Sequence, residues 1–173
     1  MTQGYSQSDL FHLRATEGWL GLGDVVSADE ELSRVDGAFA VSVEVLVLRW
    51  QIAAHKKEWQ TAADVARVLT ETEVDNASHW IWLGYATRRG FNVQAAFDVL
   101  APALTKFPDE PTIPYNMACY LAQLDRIEEA KVCLANALKI DDHGELKKLA
   151  AIDPDLAPLR KPGAGPSAVN EQD

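Results

Sequence analysis

Apolar residues recur along this chain every three to four positions, which is the period of an amphipathic helix. Between residues 113 and 123, for example, Met117, Ala118 and Leu121 form one apolar face, and the next segment carries a matching face. Polar and turn-forming residues separate these segments, as in the run "FPDEPT". The pattern therefore predicts a series of helices that pack against one another in pairs.

Alanine recurs along the chain with a period of 34 residues, at Ala28, Ala62, Ala96 and Ala130. Four blocks of that length follow one another without insertions: 9–42, 43–76, 77–110 and 111–144. A period of 34 residues built from helix–turn–helix units is the sequence signature of tetratricopeptide (TPR) repeats. At this point the chain resembles the TPR family.

The third and fourth blocks carry most of this resemblance. The third has the large and small residues that the family requires, at Trp80, Leu83, Gly84, Ala96, Leu100, Ala103 and Pro108. The fourth has Met117, Ala118, Leu121, Ala130, Leu134 and Ala137. The first two blocks match less well, and the second has Arg49 and Trp50 where the family has a leucine and a small residue. Either the first helix of the second block is rotated, or the frame slips there by a residue or two.

Two prolines make specific predictions about the helices of the last blocks. Pro114 is compatible with a helix only if that helix begins near Thr112, so that the proline falls in its first turn. Pro102 lies within the second helix of the third block, where the missing amide hydrogen should kink that helix or end it early.

The resemblance implies an all-α fold, a right-handed solenoid of antiparallel helix pairs with about four TPR-like repeats plus a C-terminal capping helix. We expect this domain to span residues 9–160, with the cap at residues 145–160 formed by a short helix and an extended strap. Residues 1–8 and 161–173 lack apolar periodicity, and we expect them to be disordered.

In the TPR family the first helix of each repeat lines a concave groove that receives a segment of a partner protein. Carried onto this sequence, the groove-facing positions are Leu13, Glu17, Val47, Gln51, His55, Ile81, Tyr85, Arg88, Arg89, Tyr115 and Cys119. The resemblance thus implies a protein–protein interaction module, an adaptor or scaffold that binds an extended or helical partner segment. Apolar side chains of the partner would enter first, and Arg88 and Arg89 would meet its acidic groups. Alternatively, these two arginines only complement the negative end of a helix dipole, and Val47 and Ile81 only pack between repeats.

The segment "HWIWLGYA" at residues 79–86 combines two of these faces on one helix. Trp80, Leu83 and Gly84 fall on the packing positions, whereas Ile81 and Tyr85 fall on the groove-facing positions. We therefore interpret the aromatic cluster as a helix with interleaved core and recognition stripes.

Besides an enzyme that uses an unrecognised site, which the absence of a titratable cluster argues against, two non-catalytic roles remain open for a chain of this pattern. Its small size and acidic composition are similar to those of the TPR chaperones of bacterial type III export, so a secretion chaperone is an alternative to an adaptor. A homo-oligomer is also possible, with the apolar region Gly37–Leu48 as the candidate contact surface.

The charge of the chain narrows the class of partner. Sixteen basic and 26 acidic residues give a formal net charge of −10, which disfavours nucleic acid and anionic membranes as partners. The first ten residues show no signal-peptide pattern, and Cys119 and Cys133 form no CxxC pair, so we expect a reduced, cytoplasmic protein.

No group of residues has the spacing of a catalytic or metal site. The four histidines do not pair at helical spacing, and "EGWLGLGD" lacks the residues of a nucleotide-binding loop. The clusters "ADEEL" and "DRIEEA" are typical of helix starts, where the dipole favours acidic residues. We therefore expect no metal, no cofactor and no catalytic residues, and we predict that the chain is not an enzyme.

Overall fold

The computed structural model describes residues 4–160, and within that range it is built from helices without strands. The α-helices are α1 (Gln7–Gly21), α2 (Val25–Leu32), α3 (Val43–Lys56), α4 (Trp59–Thr72), α5 (Ala77–Gly90), α6 (Val93–Leu100), α7 (Ala103–Lys106), α8 (Thr112–Gln123), α9 (Ile127–Ile140), α10 (Glu145–Ile152) and α11 (Ala157–Arg160). Short 3₁₀ turns lie at Gly37–Phe39 and Pro154–Leu156. The predicted all-α class is confirmed.

The chain divides into two compact units, one ending at Asn92 and the other beginning at Val93. Within the first unit α1 packs on α2, α3 on α4 and α4 on α5, and within the second α8 packs on α9. The boundary falls inside the third block, between its first helix and its second, rather than between two blocks.

The alanine period has a direct structural counterpart. Helices α4, α6 and α9 begin at Trp59, Val93 and Ile127, which repeats the interval of 34 residues. The periodic alanines have 0% exposure, and they are Ala28, Ala62, Ala96 and Ala130. A methyl side chain at these positions allows the backbones of neighbouring helices to approach closely.

Both proline predictions are confirmed. Helix α8 begins at Thr112, so Pro114 lies in its first turn, where a missing amide hydrogen costs no helical bond. In the third block α6 ends at Leu100 and α7 begins at Ala103, with Pro102 at its N-cap. The proline thus divides what would otherwise be one long helix.

Helix α3 accounts for the mismatch in the second block. It begins at Val43, the first residue of that block, but its buried face includes Val45, Leu48 and Ile52. Arg49 is exposed and Trp50 is half-buried. The frame is kept, and the position where the family has a small residue holds the half-buried Trp50, because the side chains that join the core with α1 and α2 stand at other positions of α3.

The N-terminal segment is more ordered than the sequence suggested. Ser6 caps α1 in a capping box with Asp9, and the Asp9 carboxylate also accepts a hydrogen bond from the Asp36 amide at 3.0 Å. The Tyr5 ring packs on Phe39 with 4.2 Å between ring centroids. The expectation of disorder over residues 1–8 is therefore wrong for residues 4–8, while residues 1–3 lie outside the described range.

The region Gly37–Leu48 is packed internally, so it does not form the exposed apolar surface expected for an oligomer contact. Phe39 packs against the core of the first unit, and Val45, Leu46 and Leu48 are buried. Val41, at 71% exposure, is the large apolar side chain that this region does present to solvent.

The C-terminal cap also differs from the expected extended strap. After α10, the chain forms the 3₁₀ turn Pro154–Leu156 and the helical turn α11. Asp153 caps the 3₁₀ turn by accepting a hydrogen bond from the Asp155 amide. The predicted tail, residues 161–173, lies outside the described residues.

At Gly90 the end of α5 lies close to the start of α4. A Cβ atom at this position would lie 3.1 Å from the Trp59 Cβ and 3.2 Å from the Trp59 carbonyl carbon. Gly90→Ala should lower the free energy of unfolding by about 1 kcal/mol, because backbone atoms must move. In the control Gly18→Ala, where nothing lies within 4 Å, stability should rise by roughly 0.5–1 kcal/mol. Urea unfolding of both variants tests this, and a stabilised Gly90→Ala would contradict the close approach.

We expect His79 to make the stability of the fold depend on pH. The side chain is 2% exposed, and burial lowers its pKa below the usual 6.5, although Glu73 partly opposes this. Below pH 6.5 the His79 imidazole therefore binds a proton more readily in the unfolded chain than in the folded chain. The stability that depends on neutral His79 should be fully present above the pKa that this histidine has in the unfolded chain. The free energy of unfolding should therefore fall as the pH drops from about 7 to 5.

Denaturant unfolding between those pH values checks the effect of His79. His79→Gln should flatten the pH dependence, whereas His143→Gln, at an exposed histidine, should leave it unchanged. An equal slope in the wild type and in His79→Gln would show that another group causes the dependence.

Candidate functional site

An aromatic cleft of about 460 Å³ opens on the first unit, between α3, α5 and the start of α4. Its lining consists of apolar, aromatic and neutral polar side chains together with one histidine: Trp50, Gln51, Ala54, His55, Trp59, Ile81, Trp82 and Tyr85. Clefts of this size and composition are typical of ligand and peptide sites. Hereafter these eight residues are called the aromatic cleft.

Helical spacing brings the lining residues together. Trp50 and Ala54 lie four residues apart on α3, and Ile81 and Tyr85 lie four apart on α5, so each pair lies on one face of its helix. The Trp50 ring of α3 stacks on the Trp82 ring of α5 with 4.4 Å between centroids and 13° between planes. Offset stacking of this kind stabilises the contact beyond the apolar area that it buries.

A second aromatic pair borders the cleft and carries a cation. The Trp59 and Tyr85 rings meet edge to face at 5.7 Å. The Arg89 guanidinium carbon lies 4.5 Å from the Tyr85 centroid and 5.2 Å from the Trp59 centroid. Because a guanidinium stacked on ring faces keeps its N–H groups in plane and available, Arg89 is preorganised to bind a planar anion.

The Arg89 cation at the border of the cleft is opposite in sign to the net charge of the whole chain. His55 lines the cleft and Arg89 borders it, and none of the eight lining residues is acidic. The neighbouring Lys56 is engaged elsewhere, since its ammonium lies 2.5 Å from an Asp29 carboxylate oxygen, and this contact raises the Lys56 pKa. The local surface is therefore suited to a ligand that combines apolar and acidic groups.

Part of the predicted groove coincides with this cleft. Gln51, His55, Ile81 and Tyr85 line it, and Arg89 stacks on two of its rings. Sequence reasoning assigned neither Trp50 nor Trp59 to the recognition surface, whereas it placed Trp82 either at the edge of the groove or against the neighbouring repeat. Trp59 was missed because it begins a second helix, although its place in "KKEW", directly after the first helix, was an available signal.

Other predicted groove residues lie elsewhere in the first unit. Leu13 is 8% exposed and belongs to the core cluster with Ala28, Leu32, Val45, Leu48 and Ile52, so its assignment to the groove is wrong. Val47 is half-buried and packs against the cluster of Leu46, Val65 and Leu69, as the packing alternative expected. Glu17 is exposed on α1 and Arg88 is half-buried on α5, and neither lines the aromatic cleft.

The predicted groove residues of the fourth block, Tyr115 and Cys119, are covered rather than open. Each is 4% exposed. The Tyr115 hydroxyl donates a hydrogen bond to Asp153 Oδ2 at 2.8 Å, and the Cys119 thiol lies 3.7 Å from the same oxygen. Burial raises the pKa of Tyr115, and the Asp153 carboxylate raises it further, so the phenol stays protonated and donates. The C-terminal segment of the chain occupies this position.

Cys119, Asp153 and Asp155 are a group of possible metal ligands in the described part of the chain, with their ligand atoms within 4.8 Å of one another. Both Asp153 oxygens already accept protein hydrogen bonds, Oδ2 from Tyr115 and Oδ1 from the Asp155 amide. Protein donors thus supply hydrogen bonds to both oxygens of the Asp153 carboxylate.

Within residues 4–160, no helix combines the length and the apolar character needed to cross a bilayer. No protein-family model matches the sequence. No curated protein matches it either.

Among solved structures, the chain is similar to the crystal structure of the MamA protein. The TM-score is 0.73 at 17% sequence identity, and the match covers 89% of this chain and 85% of the MamA chain. MamA is a helical protein of the TPR type. At this level of identity the likeness concerns the fold, and the fold of this chain is accordingly a TPR-like helical repeat.

Proposed function

We propose that this chain is a non-catalytic protein-binding module, an adaptor or scaffold, and that the aromatic cleft is its recognition site. The observation that carries the proposal is the combination of an apolar cleft with a preorganised cation, Arg89, at its border. Tryptophan, tyrosine and arginine are the side chains that most often dominate binding energy at protein interfaces. Here all three types converge on one site.

The shape of the cleft specifies the partner segment. A volume of about 460 Å³ accommodates one or two large apolar side chains. A carboxylate next to those side chains would meet Arg89. Because the net charge of the chain is −10, we expect most of the remaining surface to repel acidic partners. We therefore infer a partner segment in which aliphatic or aromatic residues are flanked by aspartate or glutamate.

A small TPR chaperone of a bacterial secretion system remains the alternative within the same class, and it would use the same cleft. The two differ in the partner, which is a folded assembly component for an adaptor and an export substrate for a chaperone. We place the protein in the cytoplasm in either case.

The proposal is tested with a peptide library selected on the wild-type chain. Selected peptides should be enriched in apolar residues flanked by acidic ones, and Tyr85→Ala should weaken their binding about tenfold or more, because it removes a ring from the cleft and from beneath Arg89. Arg89→Ala should weaken binding less, and its effect should shrink at high salt because the contact is an exposed ion pair. Isothermal titration calorimetry measures both effects.

Two matched variants control for general effects of truncation. Phe91→Ala removes an aromatic ring that is 48% exposed and does not line the cleft, and Arg67→Ala removes an exposed arginine on α4. Neither should change binding. Tyr85 is 40% exposed, so its variant should keep the helical melting transition. Equal affinities for the wild type and Tyr85→Ala, or loss of folding in that variant, would refute the assignment of the cleft.

A further inference from the structure

One face of α8 is covered by a later stretch of the same chain, within residues 153–160. Tyr115, Cys119 and Gln123 lie four residues apart and share this face, hereafter the α8 face. Tyr115 and Cys119 contact the Asp153 carboxylate, and the Gln123 side-chain amide donates to the Asp155 carbonyl at 3.0 Å. Three successive turns of α8 are thus engaged by one short stretch of chain.

That stretch, Asp153–Arg160, is hereafter the C-terminal segment. Its deepest apolar side chain is Leu156, which is 1% exposed. Arg160 holds the segment in shape by donating hydrogen bonds to the Asp153 carbonyl at 2.9 Å and to the Ala150 carbonyl at 2.7 Å. Asp153 and Leu156 lie three residues apart in one turn, so the carboxylate and the leucine form the recognition pair of this segment.

The helix that precedes the C-terminal segment is weakly anchored. No residue of α10 is buried, and Leu149 and Ile152 are 45% and 77% exposed. Gly144, in the left-handed conformation, separates α10 from α9. The C-terminal segment is therefore docked at the end of a tether rather than built into a helix pair.

We propose that the α8 face is a second binding site of this protein, occupied in this structure by the chain's own C-terminal segment. The site accepts a partner segment of the same chemistry, with an aspartate followed three residues later by a leucine in one helical turn. Such a partner displaces the C-terminal segment. This proposal concerns the second unit and does not depend on the function proposed for the aromatic cleft.

The chemistry of the contact between the C-terminal segment and the α8 face favours specific recognition of a carboxylate over simple covering of apolar surface. Sequestering a carboxylate costs free energy unless hydrogen bonds replace its hydration, and here a phenol, a thiol and a backbone amide supply them. The phenol and the thiol stay on α8 when the segment leaves, whereas the amide of Asp155 leaves with it, so the two remaining donors select for another carboxylate. A tether raises the local concentration of the segment to roughly the millimolar range, which a tighter-binding partner can overcome.

Cys119 provides the reporter, since it is buried beneath the C-terminal segment and the chain has two cysteines. The test uses the 173-residue chain carrying Cys133→Ser. In that chain the further substitution Leu156→Ala should speed modification of Cys119 by a thiol reagent about tenfold or more, because the anchoring side chain is lost. The thermal unfolding midpoint of the same protein should hardly change. The control Asp142→Asn, at an exposed carboxylate, should leave the modification rate unaltered.

A peptide with the sequence of residues 152–160, added to the Leu156→Ala chain, should slow the modification of Cys119 again. The same peptide carrying Asp153→Asn and Leu156→Ala should not. Tyr85→Ala should leave both results unchanged, which separates this test from that of the aromatic cleft. Failure of the first peptide to protect Cys119 would overturn the proposal.

Hydrogen exchange on the Cys133→Ser chain tests the same point without altering the C-terminal segment. Amides of residues 153–160 should open independently of those in α8 and α9. If they exchange only together with α8 and α9 in a single unfolding event, or if Leu156→Ala unfolds the whole chain, the C-terminal segment is an integral part of the core and the proposal is wrong.

Discussion

Close contact between helices through small side chains is the constraint on which this structure depends. Ala28, Ala62 and Ala130 are fully buried on α2, α4 and α9, the second helices of the pairs α1–α2, α3–α4 and α8–α9. A larger residue at these positions would separate the helices and expose the apolar faces that they bury. Since each pair requires this small residue at the same place, the requirement recurs with the repeat and is visible as a period in the sequence.

The aromatic cleft follows from two local departures from that regular packing. In α3, Val45, Leu48 and Ile52 join the core with α1 and α2, while Trp50 lies outside that cluster and stacks on Trp82. The chain at Gly90 has no side chain, so the end of α5 can lie against Trp59. A tryptophan in place of the usual small residue and a missing Cβ thus place three tryptophans on one surface.

The two units use the groove-facing positions of their first helices in different ways. In the first unit Ile81 and Tyr85 line a cleft that is open to solvent, with Arg89 held over the Tyr85 ring. In the second unit Tyr115 and Cys119 hold a carboxylate of the same chain. The same helical positions therefore serve recognition of a partner in one case and an intramolecular contact in the other.

The sequence by itself determined the helical class, the interval between helices and the breaks at Pro102 and Pro114, because periodicity, side-chain size and the missing proline amide act within a few residues. It also identified Gln51, His55, Ile81 and Tyr85 as residues of one surface. It could not place Leu13 in the core or bring Asp153 onto Tyr115, since these contacts join distant parts of the chain and depend on how each helix is rotated about its axis. Only the tertiary structure decided that rotation, because the volume of all neighbouring side chains sets it together.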